Sequence, residues 1–157
     1  MNMKLELFVL PVSDVDRARA FYEKAGFRLD LAKDVNEDFR AVHLTPPGSE
    51  ASILFGKGLT TAAPGSAQGL YLIVTDIEEA RADLVGRGIE VTEVFHDANA
   101  VFFHGHDGGQ IVHNGAGQGR QAGPHPERAS YGSYATFSDP DGNGWVLQEI
   151  TQRFPGR

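Results

Sequence analysis

The chain has 157 residues, 41% of them hydrophobic and 22% charged, which is the length of one ordinary domain and excludes general disorder, fibrous repeats and a two-domain enzyme of usual size. Its 14 Lys+Arg against 21 Asp+Glu leave a formal net charge of −7, a balance that repels nucleic-acid backbones and anionic membranes and favours a neutral or cationic small ligand. No run approaches the roughly 18 apolar residues that span a bilayer, the opening residues carry no signal-peptide core, and zero Cys excludes disulfides and thiolate chemistry and fits a cytoplasmic location.

The chain repeats itself. Val12-Ser13-Asp14-Val15-Asp16-Arg17-Ala18-Arg19-Ala20 returns 62 residues later as Val74-Thr75-Asp76-Ile77-Glu78-Glu79-Ala80-Arg81-Ala82, and Gly26 falls over Gly88. In the first copy, Leu5 to Val12 reads as a strand. Ser13 with Asp16 reads as a capping box opening a helix whose inward residues are Val15, Ala18, Tyr22 and Ala25, ending near Gly26. Phe27 to Leu31, Phe39 to Leu44 and Ser52 to Phe55 follow as strands, with Pro46-Pro47-Gly48 turning the chain. The second copy matches: strand Leu70 to Val74, a helix opened by Thr75 with Glu78 and facing inward through Ile77, Ala80 and Leu84, then strands Ile89 to Phe95, Tyr131 to Phe137 and Trp145 to Ile150. The prediction is a single α+β domain over 1–157 of two βαβββ modules, 1–56 and 69–151, joined by a Gly/Ala/Ser/Pro-containing linker at 57–68.

The second module carries an insertion at about 97–130. Five of the six His, namely His96, His104, His106, His113 and His125, lie there, as do seven of the 19 Gly, between Gly105 and Gly123. A long Gly/His-rich loop in a compact domain reads as a functional lid, and Ala100 to His106 is predicted to add a strand to it. His104 and His106, two apart, point the same way on a strand, so they are the candidate catalytic groups. They act either as hydrogen-bonding or general-base residues, or as metal ligands completed by His96 or His113. Asp107, Arg120, Glu127 and Arg128 read as solvated charges, and Glu149 as a residue on the far side of the last strand from Gln148. Gly115-Ala116-Gly117-Gln118-Gly119 lacks the spacing of a dinucleotide fingerprint, and no nucleophile elbow or His-Glu-x-x-His pair occurs.

Leu10-Pro11-Val12-Ser13-Asp14-Val15-Asp16-Arg17-Ala18, with Phe21-Tyr22, Gly26-Phe27 and above all Phe137-Ser138-Asp139-Pro140-Asp141-Gly142-Asn143, resembles the vicinal oxygen chelate superfamily of glyoxalases, bleomycin-resistance proteins and extradiol dioxygenases. Asp139 to Asn143 reads on its own as a turn between two strands. The resemblance implies a concave mixed-sheet cavity, a homodimer, and in the metal-dependent members a divalent ion held by one residue from each of four strands. Those places fall here at Leu7, Leu54, Gly69 and Val146, none of which binds a metal. The expected function is therefore binding of a small organic molecule in an apolar cavity, without a cofactor. Leu7, Val9, Leu54, Tyr71, Tyr131, Tyr134, Val146 and Gln148 are its contacts, Tyr71 and Gln148 its polar handles. The alternatives are a metal-dependent lyase, isomerase or dioxygenase that draws its ligands from the lid histidines, a metal-free enzyme with a His base, or an interaction module.

Overall fold

The computed structural model describes the backbone of residues 1–98, 104–107, 110–113 and 119–157, and side chains at 1–98 and 119–157. The chain divides into two compact units, residues 1–67 with 139–143, and residues 68–138 with 144–157. The first holds β1 (Leu7–Val9), α1 (Val15–Lys24), β2 (Arg28–Asp34), β3 (Arg40–Thr45) and β4 (Ser52–Lys57) in a four-stranded sheet ordered β1-β4-β3-β2. The second holds β5 (Leu70–Val74), α2 (Ile77–Gly86), β6 (Phe95–Asp97), β7 (His104–Asp107), β8 (Gln110–His113), β9 (Arg120–Ala122), β10 (Ser133–Ser138) and β11 (Gly144–Glu149). Its main sheet runs β5-β11-β10-β6-β9, and β7 and β8 form a two-stranded sheet among the described residues. This is the α+β arrangement that the repeat predicts, two mixed sheets each with one helix. Among the described residues no helix is long and apolar enough to cross a membrane.

Both helices start one residue later than the capping boxes suggest. The caps are Asp14, which accepts from the Arg17 N–H at 3.0 Å, and Asp76, which accepts from the Glu78 and Glu79 N–H groups at 3.0 Å each. An ionised carboxylate answers the exposed donors and the positive helix end together, so it outcompetes the neighbouring hydroxyl. Both helices also end alike. Gly26 and Gly88 take left-handed φ values of 95° and 80°, and the Phe27 and Ile89 N–H groups reach back to the Tyr22 and Leu84 carbonyls at 2.9 and 3.0 Å.

In the first unit α1 lies against β3 and β4, and Val42, Leu44, Ile53 and Phe55 are buried on the face that receives Ala18 and Tyr22. The Asp139 to Asn143 segment does more there than reverse the chain. Asp139 accepts from the Tyr22 hydroxyl at 2.9 Å and from the Asp141 and Asn143 N–H groups at 3.0 Å. Fully buried Asn143 donates to Asp139 and to the Pro11 carbonyl, both at 2.8 Å, and accepts from Ala67 N–H at 3.0 Å. Asp141 takes the Ser13 N–H and hydroxyl at 3.1 and 2.5 Å, and its carbonyl passes so close to Gly65 that a Cβ there would sit 1.9 Å from it.

In the second unit α2 lies against β10 and β11, with Ala135, Phe137, Trp145 and Leu147 buried. The predicted strand from Ile89 is strand only from Phe95. Thr92 explains the delay: its hydroxyl accepts the Thr136 N–H at 2.9 Å where a ladder carbonyl would, while Arg81 binds the Thr92 carbonyl at 2.7 Å. The predicted strand over Ala100 to His106 is partly covered: β7 begins at His104, and residues 99–103 lie outside the described ones.

Replacing Asn143 with Ala strands several buried partners at once. It is expected to cost about 3 kcal/mol, against about 1 kcal/mol for removal of the cap in Asp14→Ala, both read from urea denaturation followed by circular dichroism.

Candidate functional site

Strand alternation decides what the second unit offers a ligand. Tyr71 pairs in register with Val146, Ile73 with Gln148, and Gln148 with Tyr134, so these side chains share the sheet face turned away from α2. At one end of this face lies a cleft of about 430 Å³. Tyr71, Ile73, Gln148 and Ile150 from the strands line it together with Tyr131, Arg153, Phe154 and Arg157 from the flanking segments. Its volume falls within the range of ordinary small-ligand pockets.

The corner from His125 to Ser133 shapes the cleft, and it is built from committed polar groups. His125 spends Nδ1 on the Glu127 and Ala129 N–H groups at 3.2 and 3.4 Å, and its own N–H donates to the Ser133 hydroxyl. Arg128, at φ 49°, aims its guanidinium at Glu149, a carboxylate only 1% exposed. Nε and Nη2 bind the two carboxylate oxygens at 2.9 and 2.5 Å, Nη1 reaches Glu78 at 2.9 Å, and Glu149 also takes the first N–H of α2, that of Ile77, at 2.9 Å. Arg128 is thus no solvated charge. Its acidic partners hold its pKa above the usual guanidinium value.

Next along the corner, the Ser130 hydroxyl accepts from the Thr151 and Gln152 N–H groups at 3.1 and 3.0 Å and donates to the Gln152 carbonyl at 2.7 Å, which ties down the segment after β11. Tyr131 takes a left-handed φ of 71°, a conformation that costs a non-glycine residue about 1–3 kcal/mol. It is held there by its N–H donating to the Glu149 carbonyl at 2.8 Å and its carbonyl accepting from Gln148 Nε2 at 3.1 Å. Its hydroxyl accepts the Phe154 N–H at 3.1 Å, and the two rings stack at 4.1 Å and 15°. Gln148 gives its second amide hydrogen to the Tyr134 hydroxyl at 3.3 Å, so it has its Oε1 acceptor left to offer a ligand.

Burial raises the Tyr71 and Tyr134 hydroxyl pKa values, Tyr134 far above the ordinary phenol range. Both remain neutral hydrogen-bonding groups at physiological pH, unsuited to act as bases. Among the described residues none that lines the cleft is an Asp or Glu, whereas two are arginines. The local charge is therefore opposite in sign to the net charge of the chain. Arg120, read from sequence as solvated, stacks its guanidinium 3.7 Å over the Phe95 ring.

None of the histidines with described side chains, His43, His96 and His125, lines this cleft. His96 is 8% exposed, and its Nδ1 donates to the Gly123 carbonyl at 2.8 Å. Alternation sets it on the opposite face from Phe95 and Tyr134. Backbone register puts His104 opposite His113 and His106 opposite Ile111, and their side chains lie outside the described residues. Among the described residues no three His, Asp or Glu side chains gather in a way that could hold a metal ion. At the places the resemblance assigns to the family's ion stand half-buried Leu7 and Leu54, buried Val146 and the backbone of Gly69. A set without a nitrogen, oxygen or sulfur side-chain donor does not fit a divalent cation.

Of the ligand contacts expected from sequence, the structure brings Tyr71, Tyr131 and Gln148 together in the cleft and links Tyr134 to them through Gln148. Val146 is 1% exposed and packs in the core with Phe95 and Tyr134. Leu7, Val9 and Leu54 lie in the first unit, where Val9 pairs in register with Leu54 and Leu7 with Ser52. Near Leu54 on that sheet, Asp30 accepts from Arg28 at 2.6 Å and from the Thr45 hydroxyl, and lies 3.3 Å from His43 Nδ1. The bonds from Arg28 and Thr45 hold its pKa below the usual carboxylate value. Sequence reasoning missed Ile73 and Ile150, although alternation from Tyr71 and Gln148 points to both. It also missed Arg153, Phe154 and Arg157, which follow the last strand without periodicity.

Two sheets, each with a helix on one face and opened by the same capped strand-to-helix turn, define a protein of two βαβββ modules with a cleft on one sheet. The chain belongs to the Glyoxalase/Bleomycin resistance protein/Dioxygenase superfamily, whose profile matches residues 4–147. TnmS3, an antibiotic binding protein from Streptomyces sp. CB03234, is 29% identical with a TM-score of 0.64, over 96% of this chain and 98% of that one. A glyoxalase/bleomycin resistance protein from the same Streptomyces is 30% identical with a TM-score of 0.60, over 92% and 99%. A superfamily member from Sphaerobacter thermophilus DSM 20745 shares the fold at 24% identity and a TM-score of 0.62, over 94% and 97%. No curated protein matches the sequence.

Arg128→Ala leaves Glu149 buried without its cation and is expected to cost about 2–3 kcal/mol, below a fully buried pair because the Arg128 side chain is 40% exposed. Adding Glu149→Gln is expected to recover part of that loss, read from denaturant midpoints. The Tyr134 pKa is raised in the folded state, so its contribution to stability is complete below the ordinary value of 10.0 and is lost as pH climbs above it. The denaturation midpoint is expected to be insensitive to Tyr134 ionisation at neutral pH and to fall above about pH 10, less steeply in Tyr134→Phe.

Proposed function

We propose that this protein binds and sequesters a small organic molecule in the cleft of its second unit, with no metal ion taking part. The observation that carries the reading is the convergence of Tyr71, Tyr131 and Gln148 on one cleft of about 430 Å³, walled by aromatic and aliphatic side chains with a few fixed polar groups. Two further observations support it. The positions that would carry the family's ion hold aliphatic residues or glycine, and a relative 29% identical is described as an antibiotic binding protein. Sequestration needs no proton-transfer group, and it accords with a Tyr71 hydroxyl whose pKa burial raises. In this reading the protein acts as a cytoplasmic homodimer, and Tyr134 orients Gln148 from behind.

The test is a thermal-shift and calorimetric screen of aromatic antibiotics, run together with elemental analysis of the protein after loading with Mn, Fe, Co, Ni, Zn and Cu and removal of the excess. A ligand that raises the melting temperature, with an affinity that falls roughly tenfold or more in Tyr71→Ala and in Gln148→Ala, is the expected result. A near-stoichiometric bound ion would overturn the metal-free reading and send attention to His104, His106 and His113. A ligand whose affinity ignores both substitutions would overturn the choice of cleft.

A further inference from the structure

We propose that the cleft selects a planar aromatic carboxylate, with Arg153 and Arg157 as its counter-charges and the stacked Tyr131–Phe154 pair as its wall. The inference rests on the binding reading above and narrows it to one ligand class.

The argument begins with how this chain uses its arginines. Arg17, Arg19, Arg28, Arg40, Arg81, Arg87 and Arg128 each lie within ion-pair distance of an Asp or Glu, as expected where 21 acids outnumber 14 bases. Arg120 stacks on Phe95, whereas Arg153 and Arg157 pair with no Asp or Glu among the described residues and line a cleft to which no described Asp or Glu contributes. In an acidic protein, two unneutralised guanidinium groups at one apolar cleft make a local field that attracts anions. A guanidinium presents a planar donor fork that matches a carboxylate in two parallel hydrogen bonds, and it also stacks on aromatic faces.

The rest of the lining favours a flat ring system. Tyr131 and Phe154 stack at 4.1 Å and 15°, an aromatic wall anchored by the Phe154 N–H on the Tyr131 hydroxyl. Ile73 and Ile150 add aliphatic surface that gains from covering a ring face. Gln148 has an acceptor to offer rather than a donor, since both its amide hydrogens are spent on Tyr131 and Tyr134. Anion recognition therefore falls to the arginines. Ser130 and Tyr131 hold the backbone of the 151–154 segment that carries Arg153, and the Arg157 N–H donates to the Phe154 carbonyl at 3.2 Å, so both cations belong to a chain end tied to the cleft corner.

The test uses naphthoate and its uncharged isostere naphthamide on the full chain, with calorimetry for affinity and the methyl resonances of Ile73 and Ile150 as the local reporter. Naphthoate is expected to bind roughly tenfold or more tighter than naphthamide, with an advantage that shrinks as salt is raised. The double variant Arg153→Ala/Arg157→Ala, whose side chains are exposed, is expected to abolish that advantage, so that naphthoate and naphthamide bind the variant equally. Equal binding of the two probes, with both shifting the isoleucine methyls, would overturn the charge selection while the cleft reading stood. A preference for naphthoate that survives the double variant would overturn the assignment of the two arginines. Failure of both probes to shift either methyl at millimolar concentration would overturn this inference and the cleft reading together.

Discussion

A carboxylate taken out of water must be met by donors or it destabilises whatever buries it. Glu149, 1% exposed at the end of β11, is met by the first N–H of α2 and by both arms of the Arg128 guanidinium. That constraint reaches the cleft in two steps. Arg128 can satisfy Glu149 from the left-handed φ it adopts, and three residues later Tyr131, also left-handed, hands its N–H to the Glu149 carbonyl. Tyr131 then receives Gln148 on its carbonyl and Phe154 on its hydroxyl. The wall and the polar handle thus meet at Tyr131, which follows directly on the Arg128 corner that answers the buried charge and is bonded to the backbone of the residue that carries it. Ser130 between them ties down the segment after β11.

The duplication explains why the two units share a scaffold and differ in the site. What is common to both copies is what the backbone needs: an aspartate cap, a left-handed glycine after the last turn, and an apolar helix stripe on a sheet. The sheet face away from the helix carries no such obligation, and there the copies part. Where the first unit has Val9 beside Leu54, the second has Tyr71 beside Val146 and Ile73 beside Gln148. The same freedom lets the ion-binding places of the superfamily hold aliphatic side chains without loss of the fold, because function resides in side chains grafted on a scaffold that does not need them.

Legibility in the sequence follows the same division. Strand Leu70 to Val74 and both helices were legible because alternation, helical spacing and terminal glycines act locally. The late start of β6 was not, since it depends on Thr92 and Arg81 finding partners far along the chain. Nor was the role of Asp139 to Asn143: its residues read as a turn, and only the fold shows Asn143 closing on Pro11 and Ala67. Tyr71 and Gln148 could be placed on one face from alternation alone. The corner at Arg128 and the arginines beyond β11 could not, because each was drawn into place by a partner distant in sequence, Glu149 for the one and Ser130 with Tyr131 for the others.

Net charge and site charge part company for a physical reason. At a Debye length of roughly 8 Å in physiological salt, the acids spread over the rest of the surface contribute little inside the cleft, and several of them are opposite arginines already. A ligand there responds to the groups within reach, and those are two guanidinium groups, two phenols, an amide and hydrocarbon. The formal charge of −7 describes the molecule as a whole and not the cleft. The composition of one segment after the last strand sets the sign of what the cleft attracts.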